Sequence, residues 1–118
     1  VAMSSDGWQT ITEINKNAAS TTAYCDEITV SDSTGIIGTS GSSLLTLNAS
    51  TAETSVTIAA TAVFSGAALT LMEGSTILEK GTGSISYTNS NFTATKEYIL
   101  LSSVADSAKT YKITVTKE

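Results

Sequence analysis

The chain has 118 residues, a formal net charge of −5, and lysines as all six of its basic residues. This length predicts one domain with a core large enough to fold without disulfide bonds. The acidic balance excludes the clustered basic surface that nucleic-acid binding needs, and the absence of histidine removes the commonest general base.

Hydroxyl side chains rather than charges dominate the polar residues, with 18 serines and 21 threonines. A low-charge, hydroxyl-rich surface is typical of secreted or virion-surface β-proteins, so we expect an extracellular or cell-surface location, with the virion surface as an alternative. Cys25 is the single cysteine and is expected to be a buried thiol; an intermolecular disulfide or a lipid attachment is the alternative.

Short apolar–polar alternations separated by glycines predict strands along the whole chain. The first strand-like segment, residues 8–14, lies in an N-terminal arm or extra strand formed by residues 1–22. Further strands are predicted at 23–30, 44–48, 55–63, 68–73, 76–80, 84–87, 97–103 and 110–116.

The strongest alternation closes the chain, where Tyr111, Ile113 and Val115 share one parity and polar residues share the other. A second apolar row runs from Val56 to Phe64. Because side chains alternate between the two faces of a strand, each row predicts a buried face. The sequence therefore predicts an all-β, antiparallel β-sandwich over residues 23–118. The uncharged stretch 54–72 is not expected to span a membrane, since it has a period of two and several threonines.

Four segments resemble the cadherin-like β-sandwich domain of bacterial surface and secreted proteins, over residues 24–118: 54–62, 68–78, 98–103 and 106–117. The resemblance implies an immunoglobulin-like sandwich with a structural or adhesive role, usually as one module of a larger surface protein. It implies no calcium, and the scattered acidic residues contain no Asp-x-Asp-x-Asp loop. We expect no metal and no cofactor.

Catalysis is not expected. Without histidine, no Ser-His-Asp or Cys-His arrangement can form. Asp26 and Glu27 are the only adjacent carboxylates, and on a regular strand they would face opposite ways and could not converge on one bond.

The first functional hypothesis is a structural subunit that associates with copies of itself, or with adjoining domains of a surface protein, in a filament, pilus-like or surface assembly. Its assembly arm would use Trp8, Thr10, Ile11, Thr12 and Ile14 to add a strand to an exposed edge of a neighbour. The alternative is that the arm pairs within its own sheet.

Two other hypotheses stay open. An adhesive or carbohydrate-binding module would need exposed aromatic residues, for which Trp8, Tyr24, Phe92 and Tyr98 are the candidates; Phe64, Tyr87 and Tyr111 are expected in the core. A phage decoration or tail module is the third hypothesis. Asn48 and Asn91 each begin an Asn-x-Ser/Thr triplet and are candidate N-glycosylation sites, or else ordinary loop asparagines.

Overall fold

The computed structural model describes residues 23–41, 44–105 and 107–118, and this part of the chain contains nine strands. In chain order they are β1 (Cys25–Asp32), β2 (Gly35–Ser40), β3 (Thr46–Thr51), β4 (Val56–Ala62), β5 (Ala68–Glu73), β6 (Thr76–Thr82), β7 (Ser84–Asn89), β8 (Lys96–Val104) and β9 (Ser107–Lys117).

The strands form two sheets, which confirms the all-β sandwich. One sheet has four strands in the order β2-β1-β4-β7, and the other has five in the order β3-β9-β8-β5-β6. Every pairing is antiparallel except that of β3 with β9, which is parallel. The antiparallel prediction therefore holds for both sheets apart from this one pair.

The core follows from the alternation of side chains between the sheet faces. Tyr111, Ile113 and Val115 are buried on β9, as the closing row predicts. The largest fully buried side chains of the other strands complete the core: Ile28, Val30, Val56, Ile58, Leu69, Leu71, Tyr98 and Leu100. Full burial of each such side chain contributes about 1.5–3 kcal/mol, so these rows provide the main stabilisation of the sandwich.

Two details of the predicted strands are wrong. The strand β2 was not predicted, because Gly35, Gly38 and Gly41 give this stretch the appearance of a series of turns. The row from Val56 does not continue to Phe64, which is 39% exposed. The strand ends at Ala62, and the chain then turns so that the Phe64 ring lies against Gly66.

Glycines with positive φ form two of the turns. The predicted hairpin between β5 and β6 is present, and Gly74 takes a φ of 62° in its turn. Gly83, with a φ of 81°, lies where the chain passes from β6 in one sheet to β7 in the other. A positive φ of this size favours glycine. After this change of sheet, β7 forms one edge of the four-stranded sheet.

The predicted N-terminal arm, with Trp8, Thr10, Ile11, Thr12 and Ile14, lies outside the described residues. The division into an arm of residues 1–22 and a sandwich domain of residues 23–118 stays a prediction. In the part of the chain that the structure describes, no helix is long and apolar enough to cross a membrane.

Candidate association edges

Among the described strands, four lie at sheet edges: β2 and β7 in one sheet, and β3 and β6 in the other. An edge strand presents backbone N–H and C=O groups that have no partner within the sheet. These groups can pair with a strand from another chain, so each edge is a candidate association site.

The edges β2 and β6 are interrupted by β-bulges. On β2, the pairing moves from Val30–Gly38 to Ser31–Ile36 and leaves Ile37 as an extra residue. On β6, the pairing moves from Leu71–Glu79 to Met72–Ile77 and leaves Leu78 as an extra residue. A bulge bends the strand and breaks the regular spacing of its hydrogen-bonding groups, so both edges are poor templates for a further strand.

Neighbouring charges protect β6 further, since Glu79 and Lys80 both lie on this strand. Charged side chains on an edge oppose pairing, because the incoming strand would have to displace their hydration. Ile77 is 53% exposed on the same strand, but it lies at the bulge.

The edge β3 is regular but lies against β2. The carbonyls of Leu45, just before β3, and of Thr51, its last residue, point towards β9. They accept hydrogen bonds from Lys112 N and Glu118 N at 2.9 Å each. By alternation, Asn48 directs its backbone groups away from β9. Gly38 of β2 packs there, and a Cβ added to it would lie 3.5 Å from Asn48 O. Part of this edge is therefore covered.

The edge β7 is regular, six residues long and uncharged. Gly83 O accepts a hydrogen bond from Ala62 N at 2.8 Å, and Ala60–Ile85 and Ile58–Tyr87 continue this pairing with β4. By alternation, the residues between them on β7 direct their backbone groups away from the sheet.

Ser84, Ser86 and Thr88 are these outward residues of β7. The Ser84 carbonyl is covered by β6, because a Cβ added to Gly81 would lie 2.5 Å from its oxygen. Within the described ranges, the backbone N–H and C=O groups of Ser86 and Thr88 have no hydrogen-bond partner. The outward groups of these two residues, together with the half-buried Tyr87 between them, form what we call the β7 edge.

The start of β1 is fixed at the same end of the sheet as the start of β7. Tyr24 O accepts a hydrogen bond from Val63 N at 3.0 Å, just beyond the Cys25–Ala62 pair. Cys25 N donates to the Tyr111 hydroxyl at 2.7 Å, which joins the two sheets. The described residues therefore begin, at residue 23, at the end of the four-stranded sheet where β7 begins.

The single thiol is buried, as predicted. Cys25 has no exposed surface, and burial raises its pKa to about 11, while the neighbouring Ser102 hydroxyl opposes the rise. A thiol with so high a pKa is almost entirely protonated near neutral pH and is a weak nucleophile. Tyr98 and Tyr111 also have a pKa raised by burial, so their hydroxyls stay neutral.

The carboxylate pair of Asp26 and Glu27 lies at an irregularity of β1. A register shift between Cys25 and Glu27 leaves Asp26 as an extra residue of β1, and both Asp26 and Glu27 are exposed. That the two carboxylates cannot converge on one bond stays a prediction. No group of three or more His, Cys, Asp or Glu side chains that could hold a metal occurs in residues 23–41, 44–105 and 107–118.

A polar network at the opposite end of the sandwich was not predicted from the sequence. Asp32 Oδ1 accepts from Thr34 N at 2.8 Å and Oδ2 accepts from Thr51 Oγ1 at 2.6 Å, so the carboxylate ties the β1–β2 turn to β3. These hydrogen bonds, those from Thr34 first, lower the pKa of Asp32. The Asp32-Ser33-Thr34 spacing, typical of an Asx turn, is the signal that could have indicated it.

The candidate aromatic platform is not assembled in the described residues. Phe92 and Tyr98 have no exposed surface, so the prediction that they could face a ligand is wrong. Tyr24 is half-buried, and Lys109 Nζ lies 4.7 Å from the centre of its ring. Tyr111 is buried as predicted, and Tyr87 is half-buried against Tyr98, with ring centres 6.4 Å apart.

The candidate glycosylation residues are both exposed but differ in setting. Asn48 lies in the middle of β3, not in a loop. Asn91 lies in the connection between β7 and β8, where its backbone N donates to Asn89 Oδ1 at 2.9 Å. Their modification stays a prediction.

Comparison with known proteins adds little. No family model and no curated protein matches the chain. One solved structure that matches is described as "Biofilm associated protein - BSP domain", with 14% identity and a TM-score of 0.37; the match covers 79% of this chain and 25% of that one. A similarity at this level carries no argument about fold or function.

Proposed function

We propose that this chain is a non-catalytic structural module of an extracellular or cell-surface assembly, and that it associates with copies of itself through its sheet edges. The N-terminal arm supplies the added strand. The observation that supports this proposal is the β7 edge, where a regular and uncharged strand leaves the backbone groups of Ser86 and Thr88 without partners among the described residues.

The magnitudes indicate what the arm must contribute. A net gain of about 0.5–1.5 kcal/mol for each backbone hydrogen bond gives roughly 2–6 kcal/mol for the four groups of Ser86 and Thr88. Association costs about 4–15 kcal/mol in lost translational and rotational freedom, so backbone pairing alone does not suffice. Burial of Trp8 and Ile14, which share one face of a strand, at about 1.5–3 kcal/mol each, would supply the remainder.

The carbohydrate-binding alternative is less well supported, because Phe92 and Tyr98 are buried and cannot form a platform with Tyr24. As a virion decoration or tail module, the chain would also associate through its sheet edges. Electron microscopy of the purified chain separates these cases by form, since polymers favour a filament and closed trimers favour a virion knob.

The proposal is tested by sedimentation of the full-length chain over a range of concentrations. We expect concentration-dependent association, which is lost in the Ile11→Pro variant because proline removes an N–H and disfavours strand pairing. Asn17→Pro, between the arm strand and the sandwich, is the matched control and should still associate. A chain that stays monomeric up to its solubility limit would overturn the proposal.

A further inference from the structure

We propose that the β7 edge receives residues 8–14 of a second copy as an antiparallel strand, which extends the four-stranded sheet to five strands. This inference rests on the proposed function and names the acceptor that the function requires.

The choice of β7 follows from the comparison of the four edges. The edges β2 and β6 carry bulges, and β3 is partly covered by Gly38. The strand β7 has no bulge and no charged residue, and the approach of Gly81 covers it only at its first residue, Ser84. Its six residues match the seven of segment 8–14, which contains neither glycine nor proline. A strand here would also cover the half-buried Tyr87.

The direction follows from where the arm joins the sandwich. Tyr24, Val63 and Gly83 lie at one end of the four-stranded sheet, the end at which β7 begins. An added strand formed by residues 8–14 would end near this point, because residues 15–22 connect it to residue 23. Ile14 would then lie near Ser84, and the added strand would run opposite to β7. The pairing is therefore antiparallel.

The connecting residues 15–22 are long enough for exchange between copies. A strand outside β7 lies three strand spacings from β1, or about 14 Å. Eight extended residues reach roughly 26 Å, nearly twice that distance. A linker with this slack lets the strand leave its own sheet and take the same place on a neighbour, which is a low-cost route to association.

Segment 8–14 can cover β7 in two registers, and the one that places Trp8 and Ile14 on the same face as the half-buried Tyr87 has Ile11 opposite Ser86 and Thr10 opposite Tyr87. In this register Ile11 and Ser86 form a hydrogen-bonded pair, whose Cα atoms are about 5.5 Å apart. A disulfide requires about 4.4–6.8 Å between Cα atoms, so cysteines at these two positions can be joined. The Ser86 side chain is exposed, whereas the native Cys25 is buried and does not compete.

The crosslinking experiment mixes two full-length single variants, Ile11→Cys with isotopic label and Ser86→Cys without it, under mild oxidation. We expect a mixed disulfide dimer, identified by its mass. The matched control replaces Ser86→Cys by Ser50→Cys, an exposed serine at the outward side of β3, and should give no mixed dimer.

The outcomes separate this inference from the proposed function. Association in sedimentation together with crosslinking at Ser50 but not at Ser86 would overturn the β7 assignment and leave the function standing. A double variant, Ile11→Cys with Ser86→Cys, that forms only a crosslink within one chain would overturn both, because the arm would then pair with its own sheet.

A proline scan gives a second test that introduces no new thiol. Ser86→Pro removes one outward N–H and leaves the hydrogen bonds to β4 in place. The added strand would lose its hydrogen bond from the N–H of residue 86, and the proline ring would clash with it. Together these effects should raise the dissociation constant for association about tenfold. Ser50→Pro on β3 should leave it unchanged. Equal effects of the two variants would overturn the assignment.

Discussion

Tyr111→Phe tests how firmly the start of β1 is held. The Tyr111 hydroxyl accepts the hydrogen bond from Cys25 N at 2.7 Å, and both residues are almost entirely buried. Removing the oxygen leaves this buried N–H without its acceptor, which costs about 1–3 kcal/mol. A loss of 2 kcal/mol would lower the melting temperature by roughly 8–16 °C in a domain of this size.

Tyr98→Phe is the matched control for this variant. Tyr98 is equally buried, but among the described residues its hydroxyl accepts only a 3.5 Å contact from Asn89 Nδ2. We expect a loss below about 1 kcal/mol, because so long a contact is weak. Urea unfolding of the two variants and the wild type gives both free energies. Equal losses, or a larger loss for Tyr98→Phe, would refute the argument.

Three further predictions concern single residues of the sandwich. Gly83→Ala should destabilise the fold by more than about 1 kcal/mol, since φ is positive and the new Cβ would lie 2.7 Å from Ser65 O. Gly41→Ala, whose new Cβ would have no atom of the described residues within 4 Å, should be nearly neutral by thermal unfolding. Ser102→Ala should be neutral or stabilising in urea, because its buried Oγ has no nitrogen or oxygen partner among the described residues; a loss above about 1 kcal/mol would contradict this. Asp32→Asn should lower the stability of the fold above about pH 4 and should have little effect on it below the folded-state pKa of Asp32. The lowered folded-state pKa stabilises the wild type above about pH 4, the unfolded value, and this advantage disappears as the pH falls through the folded-state pKa. Unfolding curves of wild type and variant that differ by the same amount at every pH would contradict it.

Alternation allowed much of the fold to be predicted from the sequence. The bounds of β5 agree with its predicted range of 68–73, and the row of Tyr111, Ile113 and Val115 is buried as expected. These segments have a strict period of two and are bordered by glycine or polar turns, so local pattern and tertiary packing agree.

The remaining features depend on contacts that a single strand does not encode. Gly38 belongs to a strand because it allows β2 to approach β3, a reason that becomes visible only with both sheets in place. The parallel pairing of β3 with β9 joins segments about 65 residues apart in the chain, and no local pattern specifies it. The bulge at Asp26 likewise depends on the register of β1 against β4.

The sequence suggested a sheet edge as the candidate association site but did not indicate which edge. The absence of proline and the low charge indicate edges that are open to pairing, but they do not distinguish one edge from another. That distinction depends on bulges and on the approach of Gly38 and Gly81 to neighbouring strands, which require the three-dimensional register.

Amide hydrogen exchange at Ser86 and Thr88 in the full-length chain is the most direct measurement of strand addition at the β7 edge. At concentrations where the chain associates, we expect both amides to be protected, and the protection to disappear on dilution and in Ile11→Pro. Fast exchange at both amides in the associated state would contradict the account.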